Sequence, residues 1–180
     1  RGDIGSTVAA YASAYLEPES PLYADALTAS PYLGYESLRP LLDTALRTGS
    51  GVFVLAYTSN PEGATVQRAV GRDGSAVGAG MLASIAAENA GVTPLGSIGA
   101  VVGATVKDVD FDLGAVNGPL LAPGVGAQGG SAGNIRSVFG SAGSNVVPAV
   151  SRDLLRFGPD PAALRTAADR MVAELASALA

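Results

Sequence analysis

The sequence contains no cysteine, no histidine and no tryptophan. Without thiols or imidazoles there can be no disulfide, no Cys/His zinc site, no Ser-His-Asp triad and no imidazole base. Chemistry is left to carboxylates, guanidinium groups, hydroxyls, backbone groups and a single ammonium. That ammonium is Lys107, because the other ten of the eleven basic residues are arginines. No apolar run approaches the roughly 18 residues that span a bilayer, and no basic segment followed by an apolar one opens the chain, so a cytoplasmic protein without membrane contact is expected. Basic stripes are missing as well. The net charge is −5 with both signs interspersed, which argues against a nucleic-acid partner but leaves small anions within reach of local arginines and backbone N–H groups.

What is present suits one folded domain over residues 1–180, with 48% hydrophobic and 15% charged residues, 24 glycines and 11 prolines. The chain opens at Arg1 rather than Met, and its beginning is expected to lie upstream. Capping and periodicity predict a helix over 6–16, ended by Pro18 and Pro21, and a strand over 23–29. A helix over 36–47 stops at Gly49, and the unbroken apolar run 51–57 is a strand suited to burial on both faces. Further on come a helix over 75–89, strands over 97–103, 119–123 and 145–150, and a C-terminal helix from Pro161. The order reads as strict alternation, which means a parallel sheet with crossover helices. A five-stranded doubly wound sheet would be complete in this length. A (β/α)₈ barrel would not, since five units at about 36 residues each imply about 290 for eight, within the usual range of that fold.

Several segments have the residue types for chemistry. Residues 124–129 (Gly-Val-Gly-Ala-Gln-Gly) fit G-x-G-x-x-G after a strand, but no acidic residue ends the next strand and the intervening segment is Gly/Ser-rich, against a dinucleotide fingerprint. In a barrel the same glycines suit a phosphate loop, with Gln128 offering an amide, Ser151 and Arg152 standing at the following helix start, and backbone N–H groups joining the guanidinium on one anion. A tight turn plus a solvated arginine remains the plain alternative. Residues 58–63 (Thr-Ser-Asn-Pro-Glu-Gly) form a donor-rich loop after the most apolar strand, or an ordinary turn. Lys107 sits in an acidic, turn-like run and reads as solvated surface. Arg1-Gly2-Asp3 spells an adhesion tripeptide too short to carry weight, while Asp3 stands where a carboxylate could cap a helix or act on a substrate.

Taken in order, RGDIGST at 1–7, SPYLG at 30–34, GVFVLAYTSNPEG at 51–63, VVGAT at 101–105, LAPGVGAQGG at 121–130 and PAVSR at 148–152 resemble the orotidine 5′-phosphate decarboxylase family. The resemblance is strongest to its longer actinobacterial subgroup and runs nearly end to end. It implies a (β/α)₈ TIM barrel of which this chain holds about the last five βα units. It further implies a carboxy-lyase of UMP biosynthesis that converts orotidine 5′-monophosphate to uridine 5′-monophosphate and CO₂. The family uses no metal or organic cofactor and forms homodimers with shared active sites. Its signature is D-x-K-x-x-D. The last aspartate falls on Asp3, which puts the lysine immediately before Arg1 and implies that the chain alone is inactive; Lys107 follows a different strand and does not match.

By the same matching, Asp3 is the carboxylate reaching the partner subunit's site, with Ile4 and Thr7 beside the substrate there. Ser59 and Pro61 match the pyrimidine-contacting loop. Gln128, in the mobile loop after the seventh strand, and Ser151 with Arg152 after the eighth match the phosphate grip, Ser151 through its backbone N–H. Two alternatives stay open: a related Mg²⁺-dependent phosphosugar lyase or aldolase on the same barrel, and a non-catalytic phosphate-binding fragment.

Overall fold

The computed structural model describes residues 2–126 and 128–179. The first helix, α1 (Gly5–Leu16), buries Val8, Ala12 and Leu16 at helical spacing. Strand β1 (Ala26–Ala29) is shorter than the predicted 23–29, because the Ala24 N–H is taken by the Tyr15 carbonyl of α1 and only from Asp25 onward does the chain bond to the sheet. The predicted helix 36–47 begins as a 3-10 turn at Tyr35–Leu38 and becomes α2 at Arg39–Thr48. Pro40 has no N–H to give the Glu36 carbonyl, which is bonded by Arg39 instead. Gly49, at φ 74°, closes α2 in the left-handed conformation that glycine adopts without strain.

Strand β2 (Gly51–Tyr57) matches its predicted span, and is followed by a 3-10 turn at Pro61–Gly63, the one-turn helix α3 (Ala64–Gln67) and helix α4 (Val77–Glu88). Then come β3 (Ile98–Val102), a 3-10 turn at Leu113–Val116, and β4 (Leu120–Pro123). Helix α5 (Ala132–Phe139), strand β5 (Val146–Ala149), the short α6 (Arg152–Leu155) and α7 (Pro161–Leu179) complete the order. Two features correct the sequence reading. The Gly/Ser-rich segment before β5 holds α5, started by a reciprocal cap between Ser131 and Asn134 and buried through Ile135 and Phe139. Strict alternation fails between β3 and β4, where the acidic run around Lys107 forms loop and a 3-10 turn rather than a helix.

All strand pairs are parallel, in the order β1-β2-β3-β4-β5. Each strand lies beside its neighbour in sequence, so the sheet has no reversal point, which a doubly wound fold requires. It is an α/β sheet wound in one direction, five consecutive units of a TIM barrel. One row of register partners, Ala29, Val54, Ala100, Leu120 and Val146, is buried with Leu42, Leu82 and Ile85 of the covering helices. The opposite face carries Phe53, Leu55 and Leu121, each half-buried, and Val147, which is 44% exposed. No helix among the described residues is long and apolar enough to cross a membrane.

The β3–β4 crossover lacks a helix, and a buried amide holds it. Asn89, 1% exposed at the end of α4, donates to the carbonyls of Ile98 (2.7 Å) and Val116 (2.9 Å) and accepts from the Ile98 N–H (3.4 Å). Its own carbonyl accepts from the Asn117 side chain at 2.9 Å. A Cβ at Gly96 or Gly118 would lie 1.9 Å and 2.6 Å from atoms of this amide, so both positions need glycine for space. Asn89→Ala leaves two carbonyls buried without their donor and should destabilise the fold by about 2–4 kcal/mol. The check is a urea unfolding curve, whose midpoint should fall without a change of slope.

Candidate functional site

Because the strands are parallel, the loops that follow them gather at one edge of the sheet. At the end of β2, the Tyr57 ring lies against Gly78, where a Cβ would come within 2.5 Å of its Cζ. The Arg68 guanidinium sits 5.6 Å above the same ring. Arg68 also donates to the backbone carbonyls of Lys107 and Asp108, tying the loop after β2 to the loop after β3. Burial pushes the Tyr57 phenol above its ordinary range, partly offset by Arg68. Ser59 and Pro61 are exposed on this loop, beside a cavity of about 160 Å³ also lined by Gln67, Arg68, Thr105 and Lys107. The Glu62 carboxyl is held below its ordinary value of 4.5, first by its own N–H and then by the Asn60 side chain. A lowered carboxyl supports the loop above that ordinary value, and the support is lost as pH falls through the lowered one.

The loop after β4 is closed on itself. Gly124, Gly126 and Gly129 take φ values of 96°, 77° and 85°, which only glycine adopts freely. The Gly126 N–H donates to Gly130 (2.7 Å), Gly129 to Gly126 (2.8 Å) and Gly130 to Gly124 (3.1 Å). Three amides that the sequence offered to an anion are therefore occupied inside the loop. These three amides do not form the expected open backbone cradle. The Gln128 side chain folds over Gly124, and the Ser59 hydroxyl reaches its Oε1 at 3.5 Å, so loops from two non-adjacent strands meet across β3. Ala127 of this motif lies outside the described residues, as does Arg1 of the RGD tripeptide.

At the start of α6, Ser151 and Arg152 are both exposed. Among the described residues the Arg152 guanidinium has neither an ion-pair nor a hydrogen-bond partner, and the Ser151 N–H donates to none. The neighbouring Asp153 carboxylate packs where a Cβ of Gly126 would stand, 2.4 Å from its Oδ2, which brings the start of α6 against the β4 loop. Asp3, Ile4 and Thr7 stand at the start of α1, where Gly2 packs on the Ser30 carbonyl just after β1. One Asp3 oxygen accepts the Ile4 N–H at 2.9 Å. No hydrogen bond or ion pair among the described residues joins Asp3, Ile4 or Thr7 to Ser59, Gln128 or Arg152.

Lys107 is exposed, as the acidic run around it suggests. Besides the small cavity at Ser59 and Pro61, it lines a cleft of about 590 Å³ along α5 that holds none of Asp3, Ile4, Thr7, Ser59, Pro61, Gln128, Ser151 and Arg152. No group of three or more acidic side chains able to hold a metal occurs among the described residues. Gln67, Arg68 and Asp153 were not legible beforehand, because each acts through a loop contact rather than through a motif.

Residues 1–167 match the family described as orotidine 5′-phosphate decarboxylase / HUMPS. The chain is 62% identical over 180 residues to the orotidine 5′-phosphate decarboxylase of Streptomyces coelicolor, covering 99% of this chain and 64% of that protein. The Salinispora arenicola protein of the same name is 62% identical over 179 residues with the same coverage. A Streptomyces avermitilis protein assigned to that activity and solved as a crystal structure superposes with a TM-score of 0.95 at 62% identity, over 99% of this chain and 63% of that one. The chain thus spans a little under two thirds of the length of these relatives.

A Cβ at Gly130 would sit 2.6 Å from the Gly124 carbonyl, in a loop that has no slack. Gly130→Ala should open the β4 loop and speed amide exchange at Gly126 by about tenfold or more, the equivalent of about 1.4 kcal/mol, while Val54 in β2 keeps its protection. Unchanged exchange at Gly126 would refute the closed loop.

Proposed function

Since the chain belongs to the orotidine 5′-phosphate decarboxylase / HUMPS family, we propose that it forms the C-terminal five units of one barrel domain of an orotidine 5′-phosphate decarboxylase, acting in the cytoplasm. The observation that carries this reading is the placement of the matched residues. Ser59, Gln128, Ser151 and Arg152 come from three separate loops and stand at one edge of the sheet, with Arg152 unpaired among the described residues.

In this reading Arg152 and the Ser151 N–H grip the substrate phosphate, together with the Gln128 amide, and Ser59 and Pro61 face the pyrimidine. The Ser59–Gln128 contact then links the ring-facing loop to the phosphate-facing one. Decarboxylation breaks the bond between the ring carbon and its carboxylate; the electron pair stays on the ring carbon, CO₂ departs, and an ammonium supplies the replacing proton. The signature lysine that supplies it aligns just before Arg1. Asp3 uses one oxygen on Ile4 and keeps the other for the corresponding ammonium of the partner subunit's site, with Ile4 and Thr7 beside the substrate there. Phosphate binding far from the ring contributes to catalysis by holding the ring in place.

A homodimer with shared sites completes the proposal. Ile4, Tyr32, Leu33, Val66 and Val70 are 60%, 76%, 52%, 44% and 72% exposed, all in segments at the start of α1 or following β1 and β2. Exposed apolar side chains at these positions suit a subunit interface. The half-exposed face of the sheet and the outer edges of β1 and β5 are left for the remaining barrel strands to cover.

The test uses a chimera in which this chain replaces the matched 64% of the Streptomyces coelicolor protein. It should release CO₂ from orotidine 5′-monophosphate and elute as a dimer; a folded chimera that leaves this compound unchanged overturns the reading. Arg152→Ala should lower kcat/KM for orotidine 5′-monophosphate by about 10²-fold or more and leave turnover of the unphosphorylated nucleoside nearly unchanged. Equal losses on both would remove the phosphate role. Asp3→Ala should lower kcat by about 10³-fold while inorganic phosphate still competes at its former concentration, and unchanged turnover would refute the match at that end.

A further inference from the structure

The β2 ladder ends at Tyr57, whose carbonyl accepts from Gly103, and the next residue, Thr58, has no strand partner for its N–H. That N–H donates to Gln67 Oε1 at 2.9 Å, and the other end of the same amide, Nε2, donates to Thr58 Oγ1 at 2.7 Å. Gln67 therefore holds both the backbone and the side chain of the residue before Ser59. The arrangement continues in one direction. With its lone pair engaged by Gln67, the Thr58 hydroxyl gives its proton to Asn60 Oδ1 at 2.5 Å, and Asn60 Nδ2 donates to Glu62 at 3.1 Å. Ser59 is thus flanked on both sides by residues whose side chains are fixed, while its own hydroxyl faces Gln128.

Two features show that the space is shaped for this clasp. Gly63 has φ −58°, so its backbone does not need glycine. A Cβ there would lie 2.9 Å from Thr58 Oγ1, 3.1 Å from Gln67 Nε2 and 3.2 Å from Asn60 Oδ1, so only glycine leaves the three polar atoms room to meet. The amide is also specific in polarity, because it must accept from an N–H and donate to a hydroxyl at once. A carboxylate would compete with Asn60 for the single Thr58 proton.

We infer that Gln67 is a positioning residue that fixes the Thr58–Ser59–Asn60 segment against the substrate ring without touching the substrate. This rests on the decarboxylase reading above. Ordering the segment before substrate arrives keeps its side chains from having to be immobilised at each turnover.

The test compares Gln67→Met and Gln67→Glu with the unmodified chimera, measuring kcat/KM for orotidine 5′-monophosphate and the inhibition constant of inorganic phosphate. Gln67→Met should lower kcat/KM by about tenfold or more and leave phosphate inhibition within about twofold, since the phosphate-gripping residues are untouched. Gln67→Glu should fare no better than half-rescue, because it restores only the bond from the Thr58 N–H. Gly63→Ala, which disturbs the same clasp from the other side, should reproduce the split. The inference is overturned if kcat/KM stays within about twofold in Gln67→Met, or if phosphate inhibition weakens in parallel, the mark of a general structural loss. An unmodified chimera that turns over nothing overturns the function itself, and is recognised before any variant is made.

Discussion

The relation between the two loops that meet at Ser59 and Gln128 depends on the register of the strand between them. Strand β3 separates β2 from β4, and any slip against either neighbour moves one loop relative to the other by a residue. The β2–β3 ladder is long, whereas β3 and β4 pair only through Ala100 with Leu120 and Val101 with Leu121. No helix backs that crossover. Asn89 fills the gap with three side-chain bonds, joining the end of α4 to both the start of β3 and the turn that enters β4. A polar group this buried stabilises only when its partners are correctly placed, so the amide acts as a gauge of register as well as a bond.

With register held, the loops at the carboxyl edge can be small and self-contained. The β4 loop closes through its own amides, the β2 loop through Gln67, and Arg68 bridges to the loop after β3. Each arrangement satisfies backbone groups that the sheet can no longer pair. The result differs from a glycine cradle in which amides point outward. Here Gly124, Gly126 and Gly129 serve turn geometry, and in the proposed enzyme anion binding would fall to side chains such as Arg152, which has no partner among the described residues.

Much of this was legible in the residues. The apolar run 51–57 fixes β2 because it is bounded by Gly51 and by the turn residues Ser59, Asn60 and Pro61, and the parallel sheet follows from alternating elements. What escaped did so for physical reasons. Helix α5 hides in a segment whose glycines and serines suggest turn, yet Ser131 and Asn134 cap it and Ile135 and Phe139 bury it, so tertiary packing outweighs local composition. The missing β3–β4 helix was implied only by analogy with the other crossovers. Resemblance placed Ser59, Gln128 and Arg152 on their loops, but no spacing in the chain says that residues 59 and 128 meet. Gln67 was invisible because its partner atoms are assembled by a one-turn helix and by the absence of a Cβ at Gly63.

These details bear on how binding and bond-breaking are divided in the proposed enzyme. The ring-facing and phosphate-facing side chains of this chain are uncharged or cationic, while its signature carboxylate stands apart at the start of α1, with no bond to either loop among the described residues. In the proposed homodimer that carboxylate serves the partner subunit's site, so each site would take its carboxylate from one protomer and its phosphate grip from the other. Contact between the ring-facing and phosphate-facing loops is left to neutral groups, the Ser59 hydroxyl and the Gln128 amide. In the proposed enzyme, phosphate occupancy can thus order the ring-facing loop through hydrogen bonding between these two side chains.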